Sequence, residues 1–221
     1  IATGARPRVL ADAMPDGERI LTWTQLYGIH DVPERLIVVG SGVTGAEFAG
    51  AYHALGSRVV LISSRDHVLP GEDPDAAQVL EDVFARRGLE VLGSSRAVAA
   101  RRTDDGVEVT LASGDVVRGS HVLMAVGSLP NTDDLGLAAA GIETDDAGFV
   151  RVDRVSRTTR RGVYAAGDCT GVLMLASVAA MQGRIAMWHA LGDAVAPLEL
   201  ATVSSTVFTH PEIATVGLTQ K

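Results

Sequence analysis

The sequence predicts an α/β chain whose centre is a parallel β-α-β unit interrupted by an inserted β-meander, with part of a second unit of the same kind around it. Three observations predict it. The stretch LIVVGSGVTGAEFAGAYHALGSRVVLISSR, residues 36 to 65, places an apolar run, a glycine turn, a helix-forming stretch and a second apolar run within 30 residues. The runs at 107 to 111 and 115 to 118 flank Ala112-Ser113-Gly114, a hairpin signal. Finally, AVGSLPN at 125 to 131 repeats the Ala, Gly and Pro spacing of ATGARPR at 2 to 8.

Composition narrows the class. The 221 residues are 47% hydrophobic and 4% aromatic, enough for one large or two modest domains with a real core. A net charge of -8 argues against long-range attraction to nucleic acid or to anionic membranes. Runs such as Leu36 to Val39 and Val59 to Ile62 are too short to span a bilayer. Cys169 is the only cysteine, so no intrachain disulfide is expected, and the count suits a reducing cytoplasm. The histidines at 30, 53, 67, 121, 189 and 210 lack metal-ligand spacing, and no metal site is expected.

Taken in order, the elements build one nucleotide domain. Leu36 to Val39 form a continuous apolar, mostly β-branched run of the type used by a strand covered on both faces. Gly40, Ser41 and Gly42 turn the chain, Ala46 to Leu55 favour helix, Gly56 ends it, and Val59 to Ile62 return as a second strand. The spacing Gly40-x-Gly42-x-x-Gly45 gives each glycine a reason: a tight turn, close approach of a pyrophosphate, and close packing of helix on strand. This is a Rossmann-like arrangement, in which the phosphates sit against the helix amino end around Ser41, Val43 and Thr44. At the end of the second strand an acid would bond a ribose 2′-hydroxyl, whereas this chain has Ser63, Ser64 and Arg65. The neutral residues and Arg65 favour or tolerate a 2′-phosphate, leaving both NADH and NADPH open.

Pro74 to Arg87 then read as a helix with Gly88 at its end, and Val122 to Val126 as a buried strand closing at Gly127. Gly40 and Gly127 stand 87 residues apart, so if ATGARPR closes an earlier copy, its opening turn is expected upstream of Ile1. Ile1 itself reads as a position within a longer chain. Downstream, VYAAGDCTG at 163 to 171 has the character of a buried strand that turns at Gly167 and exposes Asp168, whose carboxylate suits a ribityl or ribose hydroxyl. A helix is expected from about Ala176, with its amino end suited to an electron-rich ring.

Taken together, ATGARPR, GSGVTGAE, AVGSLPNT and TTRRGVYAAGDCTG in this order resemble the pyridine nucleotide-disulfide oxidoreductase family of two-dinucleotide flavoproteins. Through SHVLMAVGSLPNT, VDRVSRT and LASVAAMQGRIAMWHALG the chain is most similar to lipoamide-dehydrogenase-like NAD(P)H quinone reductases. The resemblance implies FAD and NAD(P)H as cofactors, with Asp168 on the ribityl chain, Thr3 and Gly4 near the ADP portion, the Leu175 and Ala176 amides near the flavin pyrimidine, and Glu47 on the nicotinamide carboxamide. It implies four segments: 1-34 ending a first FAD-binding segment and its linker, 35-130 binding NAD(P), 131-200 returning to the FAD domain, and 201-221 opening a dimer-interface domain. The parent is then expected to be a cytoplasmic homodimer that passes hydride through FAD to a small-molecule, quinone-type electron acceptor. The alternatives are dihydrolipoamide dehydrogenase activity, or a nucleotide-binding fragment without turnover.

The departures from the family pattern favour the quinone reading. Val43 stands where some members have an aromatic, Ser128 where many have Arg, and Ser63 where NAD-specific lipoamide dehydrogenases have an acid. No catalytic residue is expected within these 221 residues, since the family's disulfide pair and its histidine loop fall outside them. Cys169 reads as a small core residue.

Overall fold

A computed structural model describes residues 1 to 218. The elements in chain order are β1 (Ala5–Pro7), β2 (Ile20–Leu21), α1 (Trp23–Leu26), β3 (Arg35–Val39), α2 (Val43–Ala54), β4 (Arg58–Ile62), α3 (Pro74–Arg86), β5 (Glu90–Leu92), β6 (Ala97–Arg102), β7 (Val107–Leu111), β8 (Val116–Gly119), β9 (His121–Met124), β10 (Ser128–Pro130), α4 (Ala176–Leu191), β11 (Ser205–Val207) and β12 (Ile213–Thr215). They divide into two compact units, the larger formed by Pro7–Gly127 with Thr206–Ala214, the smaller by Ile1–Arg6, Ser128–Ser205 and Thr215–Leu218.

In the larger unit the sheet is five-stranded, in the order β2-β9-β3-β4-β5, and each of its pairings is parallel. Its apolar runs are continuous because both faces are covered. Leu36, Val38, Val59 and Leu61 join Ala46 and Ala49 of α2 and Leu80 and Phe84 of α3 in one cluster. Ile37, Val39, Val60 and Ile62 alternate to the other face, where they meet Val107, Val109 and Leu111 of the meander β6-β7-β8. The meander thus replaces a helical layer, and burying each of these Leu, Ile or Val side chains contributes about 1.5 to 3 kcal/mol.

The expected βαβ unit is present, with β3 and β4 in register from Arg35↔Arg58 to Val39↔Ile62. Helix α2 starts at Val43, three residues before the expected Ala46, because Gly42 already has the extended backbone of an N-cap. Helix α3 starts at Pro74 behind Asp73, whose carboxylate accepts the Asp75 N–H at 2.9 Å. The hairpin of β7 and β8 forms as expected, and β6 adds a strand that its half-exposed alternation concealed.

The smaller unit has its own core of Leu137, Ile142, Val150, Ala165 and Cys169. Its longest element, α4, buries Val178, Gln182, Ile185 and Ala186 and ends at Gly192, which has a φ of 88° suited to a C-terminal cap. The strand expected at 163 to 166 does not form. Only an isolated bridge links Tyr164 to Arg157, while Val163 N–H donates within a turn to the Arg160 carbonyl and Ala165 N–H to that of Ser156. On the other side the Ile1 amino group donates to the Tyr164 carbonyl at 2.6 Å and the Ala166 N–H to the Ile1 carbonyl at 3.0 Å, so pairing on each side is confined to single residues. The expected segment 201-221 contains β11 and β12, and its residues 219 to 221 lie outside the described residues.

Candidate functional site

Each unit carries a glycine turn that opens toward helical backbone, and some of the candidate residues fall on these two turns. In the larger unit the chain leaves β3 at Gly40, whose φ of 110° is in the region that favours glycine. A Cβ on Gly40 would stand 2.2 Å from the Ala125 carbonyl oxygen, and one on Gly45 would stand 1.7 Å from the Gly40 carbonyl oxygen. These two glycines are therefore fixed by packing. Gly42 is different: a Cβ there would meet nothing within 4 Å, so the space beside it is open. The first N–H groups of α2, at Val43, Thr44 and Gly45, lack intrahelical acceptors and sum with the helix dipole to a local positive end. An open notch lined by backbone donors at a helix amino end fits a pyrophosphate in an otherwise acidic chain.

The side chains around this notch sort by depth. Ser41 and Ser63 are buried and their hydroxyl oxygens lie 2.7 Å apart. Ser63 Oγ also accepts the Arg65 N–H at 3.1 Å and donates to the His67 carbonyl at 3.2 Å, which leaves Ser41 as the donor in the pair. The Ser63 hydroxyl is thus occupied inside the fold, and the exposed groups at the end of β4 are Ser64, Arg65 and Asp66. Arg65 forms no ion pair among the described residues. Val43 is 43% exposed at the mouth of the notch.

Glu47 lies one turn along α2 and is half-buried. Its Oε1 accepts the Phe208 N–H at 2.8 Å, a link across 161 residues that no local pattern could signal. β9 ends at Met124, two residues before the expected Val126, and Gly127, with a φ of 100°, follows it and accepts the Arg8 N–H on its carbonyl at 2.9 Å.

In the smaller unit, Thr3 and Gly4 lie beside Asn131, whose side-chain amide donates to the Thr3 carbonyl and whose N–H donates to the Gly4 carbonyl, both at 2.9 Å. Gly167 combines a φ of 82° with a ψ of -161°, backbone that only glycine adopts without strain. Asp168 heads the short 3-10 turn Asp168–Thr170 that follows, partly exposed. The Leu175 N–H is already bonded to the Leu173 carbonyl at 2.9 Å, while Ala176 begins α4 and offers a helix-end amide. The sequence reading missed Gln182, a buried amide that bonds the Gly167 N–H at 2.8 Å. Its only sequence signal is a polar residue on the apolar face of α4.

Among the described residues, no group of three His, Cys, Asp or Glu side chains is placed to hold a metal ion, and no helix is long and apolar enough to cross a membrane. Cys169 is buried, and its thiol donates to the Ala166 carbonyl at 3.3 Å.

Comparison with known proteins places these turns in context. Residues 1–183 match the family described as pyridine nucleotide-disulphide oxidoreductase. The NAD(P)H dehydrogenase (quinone) of Mycobacterium tuberculosis H37Rv is 60% identical over 220 residues, which are 100% of this chain and 45% of that protein. The dihydrolipoyl dehydrogenase of Chlamydia pneumoniae is 35% identical over 218 residues, 99% of this chain and 47% of that protein. Among solved structures, LpdA from Mycobacterium tuberculosis superposes with a TM-score of 0.95 at 60% identity, over 99% of this chain and 48% of that one. The HOCl-induced flavoprotein disulfide reductase RclA from Escherichia coli gives 0.89 at 26% identity, over 99% of this chain and 50% of that one. The chain thus spans about half the length of the relatives it matches.

Proposed function

The chain belongs to the pyridine nucleotide-disulphide oxidoreductase family, and from that premise we propose that it is the central part of an FAD-dependent NAD(P)H oxidoreductase that reduces a quinone-type acceptor. The observation that carries the reading is the notch at Gly42: packing requires Gly40 and Gly45, yet the space beside Gly42 stays open at the amino end of α2. A turn needed for packing alone gives no reason for that opening. Segment 35-130 then binds the coenzyme pyrophosphate through Gly40, Gly42, Gly45 and the Val43 and Thr44 amides. Arg65 receives a 2′-phosphate when the coenzyme is NADPH, and Glu47 orients the nicotinamide amide.

Segments 1-34 and 131-200 supply flavin contacts: Thr3 and Gly4 for the ADP portion, Asp168 for a ribityl hydroxyl, Ala176 for the ring. The Leu175 amide is already bonded to Leu173, so the helix-end amide of Ala176 carries more of that last role. FAD, when bound, supplies the two-electron chemistry that links a hydride donor to the acceptor. The protein's part is to bind the two groups and to keep their phosphates neutralised. Overall, NAD(P)H, a proton and a quinone become NAD(P)+ and a hydroquinone. A homodimeric, cytoplasmic parent belongs to the same proposal.

The 60% identity to a protein named for quinone reduction favours this acceptor over lipoamide, and the 35% relative named dihydrolipoyl dehydrogenase keeps lipoamide as the second reading. The test is flavin absorbance of the purified full protein, followed by NADH and NADPH oxidation with menadione and with lipoamide. Turnover with menadione and little with lipoamide is expected. Turnover with lipoamide alone would replace the first reading by the second, and a colourless protein that binds NAD(P)H without oxidising it would leave a nucleotide-binding module.

A further inference from the structure

Gln182 is a polar side chain on the buried stripe of α4, 1% exposed among Val178, Ile185 and Ala186. Burying a carboxamide without partners costs about 1 to 3 kcal/mol, so its retention there points to bonds that an apolar residue could not make. It makes two. Oε1 accepts the Gly167 N–H at 2.8 Å, and Nε2 donates to Thr170 Oγ1 at 3.3 Å. The Thr170 hydroxyl in turn donates to the Gly167 carbonyl at 2.8 Å, which closes a ring through both polar groups of Gly167.

We propose that Gln182 is a positioning residue for the flavin site: its buried carboxamide bridges Gly167 and Thr170 and so fixes the turn that presents Asp168. The bridge answers a specific need. Gly167 sits in a backbone region with φ 82° and ψ -161°, which is sparsely populated and persists only where its surroundings hold it. Neither bond uses the Asp168 side chain, which stays partly exposed at the head of the turn as an acceptor. An amide suits the task because it offers one donor and one acceptor without a charge, whereas an ionised carboxylate could accept from Gly167 but could not donate to Thr170. The inference rests on the reading of Asp168 as a ribityl acceptor.

The test reads the turn and the ligand separately, in the full protein with and without FAD. In flavin-free protein, the hydrogen-exchange protection of the Gly167 amide is expected to fall about tenfold or more in Gln182→Met, while the amides within α4 keep theirs. Gln182→Glu is the control. Its acid, protonated at about pH 5, has both a donor and an acceptor, and ionised it still accepts the Gly167 N–H, so Gly167 protection is expected near the native level. FAD affinity is expected to follow the same pattern, about tenfold weaker in Gln182→Met and near native in Gln182→Glu at about pH 5.

Unchanged Gly167 protection in Gln182→Met overturns the bridge. Lost protection with unchanged FAD affinity overturns the positioning role. If Gln182→Met does not fold, Thr170→Val removes the hydroxyl link while keeping the Gln182 bond to Gly167, and unchanged FAD affinity in Thr170→Val overturns the positioning role. A wild-type protein that binds no FAD defeats the flavin reading itself, and the Gly167 exchange rates still decide whether the bridge exists.

Discussion

At the residue scale, the three glycines of one motif have different duties, and substitution separates them. Alanine at Gly45 would place a methyl 1.7 Å from the Gly40 carbonyl oxygen, so helix or strand must shift. Gly45→Ala is expected to lower stability by about 2 to 3 kcal/mol, read by chemical denaturation. Alanine at Gly42 meets nothing within 4 Å, and the local φ of -69° suits any residue. Gly42→Ala is therefore expected to cost about 1 kcal/mol or less through the weaker N-cap, yet to weaken NAD(P)H binding about tenfold by filling the notch. Equal losses of stability in the two variants would mean that the notch is only packing. Arg65 supplies the second contrast: Arg65→Glu is expected to raise the KM for NADPH about tenfold or more while that for NADH changes little, because only NADPH has a 2′-phosphate for it to repel.

At the element scale, stability resides in end groups as much as in the sheet. The loop into β2 is organised by Asp16, whose Oδ1 accepts the N–H groups of Glu18, Arg19 and Ile20 at 2.9, 2.8 and 2.9 Å. Burial pushes the Asp16 carboxyl up, but these backbone donors, with Arg102, outweigh it and hold the group below the usual carboxylate range. With the folded value depressed, its contribution is fully present above the unfolded value of about 3.9 and is lost as pH falls through the folded one. Asp16→Asn is therefore expected to unfold at a lower temperature than the wild type near neutral pH, with the gap closing as the pH is lowered from about 4 to about 2. A gap that stays constant over that range would assign the effect to shape alone. Helices α2, α3 and α4 and the central strands were legible in the sequence because their signals are local: Gly42 and Gly56 bracket α2, and Asp73-Pro74 opens α3. The strand expected at 163 to 166 does not form because its pairing is confined to single residues, Arg157 on one side and Ile1 on the other, which no local pattern signals.

At the scale of the whole molecule, sequence distance decides what could be read. β9 lies between β2 and β3, a placement that brings His121 beside Leu36 across 85 residues. The glycine notch was legible because Gly40 to Gly45 are contiguous, while Glu47 with Phe208 and Gln182 with Gly167 were not, since each bond joins segments related only by folding. The two units have separate cores, so a ligand that contacts one of them stabilises that one first. NADPH at about one hundred times its dissociation constant adds about 2.7 kcal/mol to whatever it binds. If the coenzyme pyrophosphate rests on the notch, hydrogen exchange in the presence of NADPH is expected to slow across β3, the first turns of α2 and β4, with Val43 to Ala46 slowed most. The amides from Gly167 to Gly171 are expected to respond to FAD instead. Protection by NADPH at Gly167 to Gly171 with none at Val43 to Ala46 would exchange the two assignments. It would then place the coenzyme at the turn that Gln182 holds and the flavin at the notch.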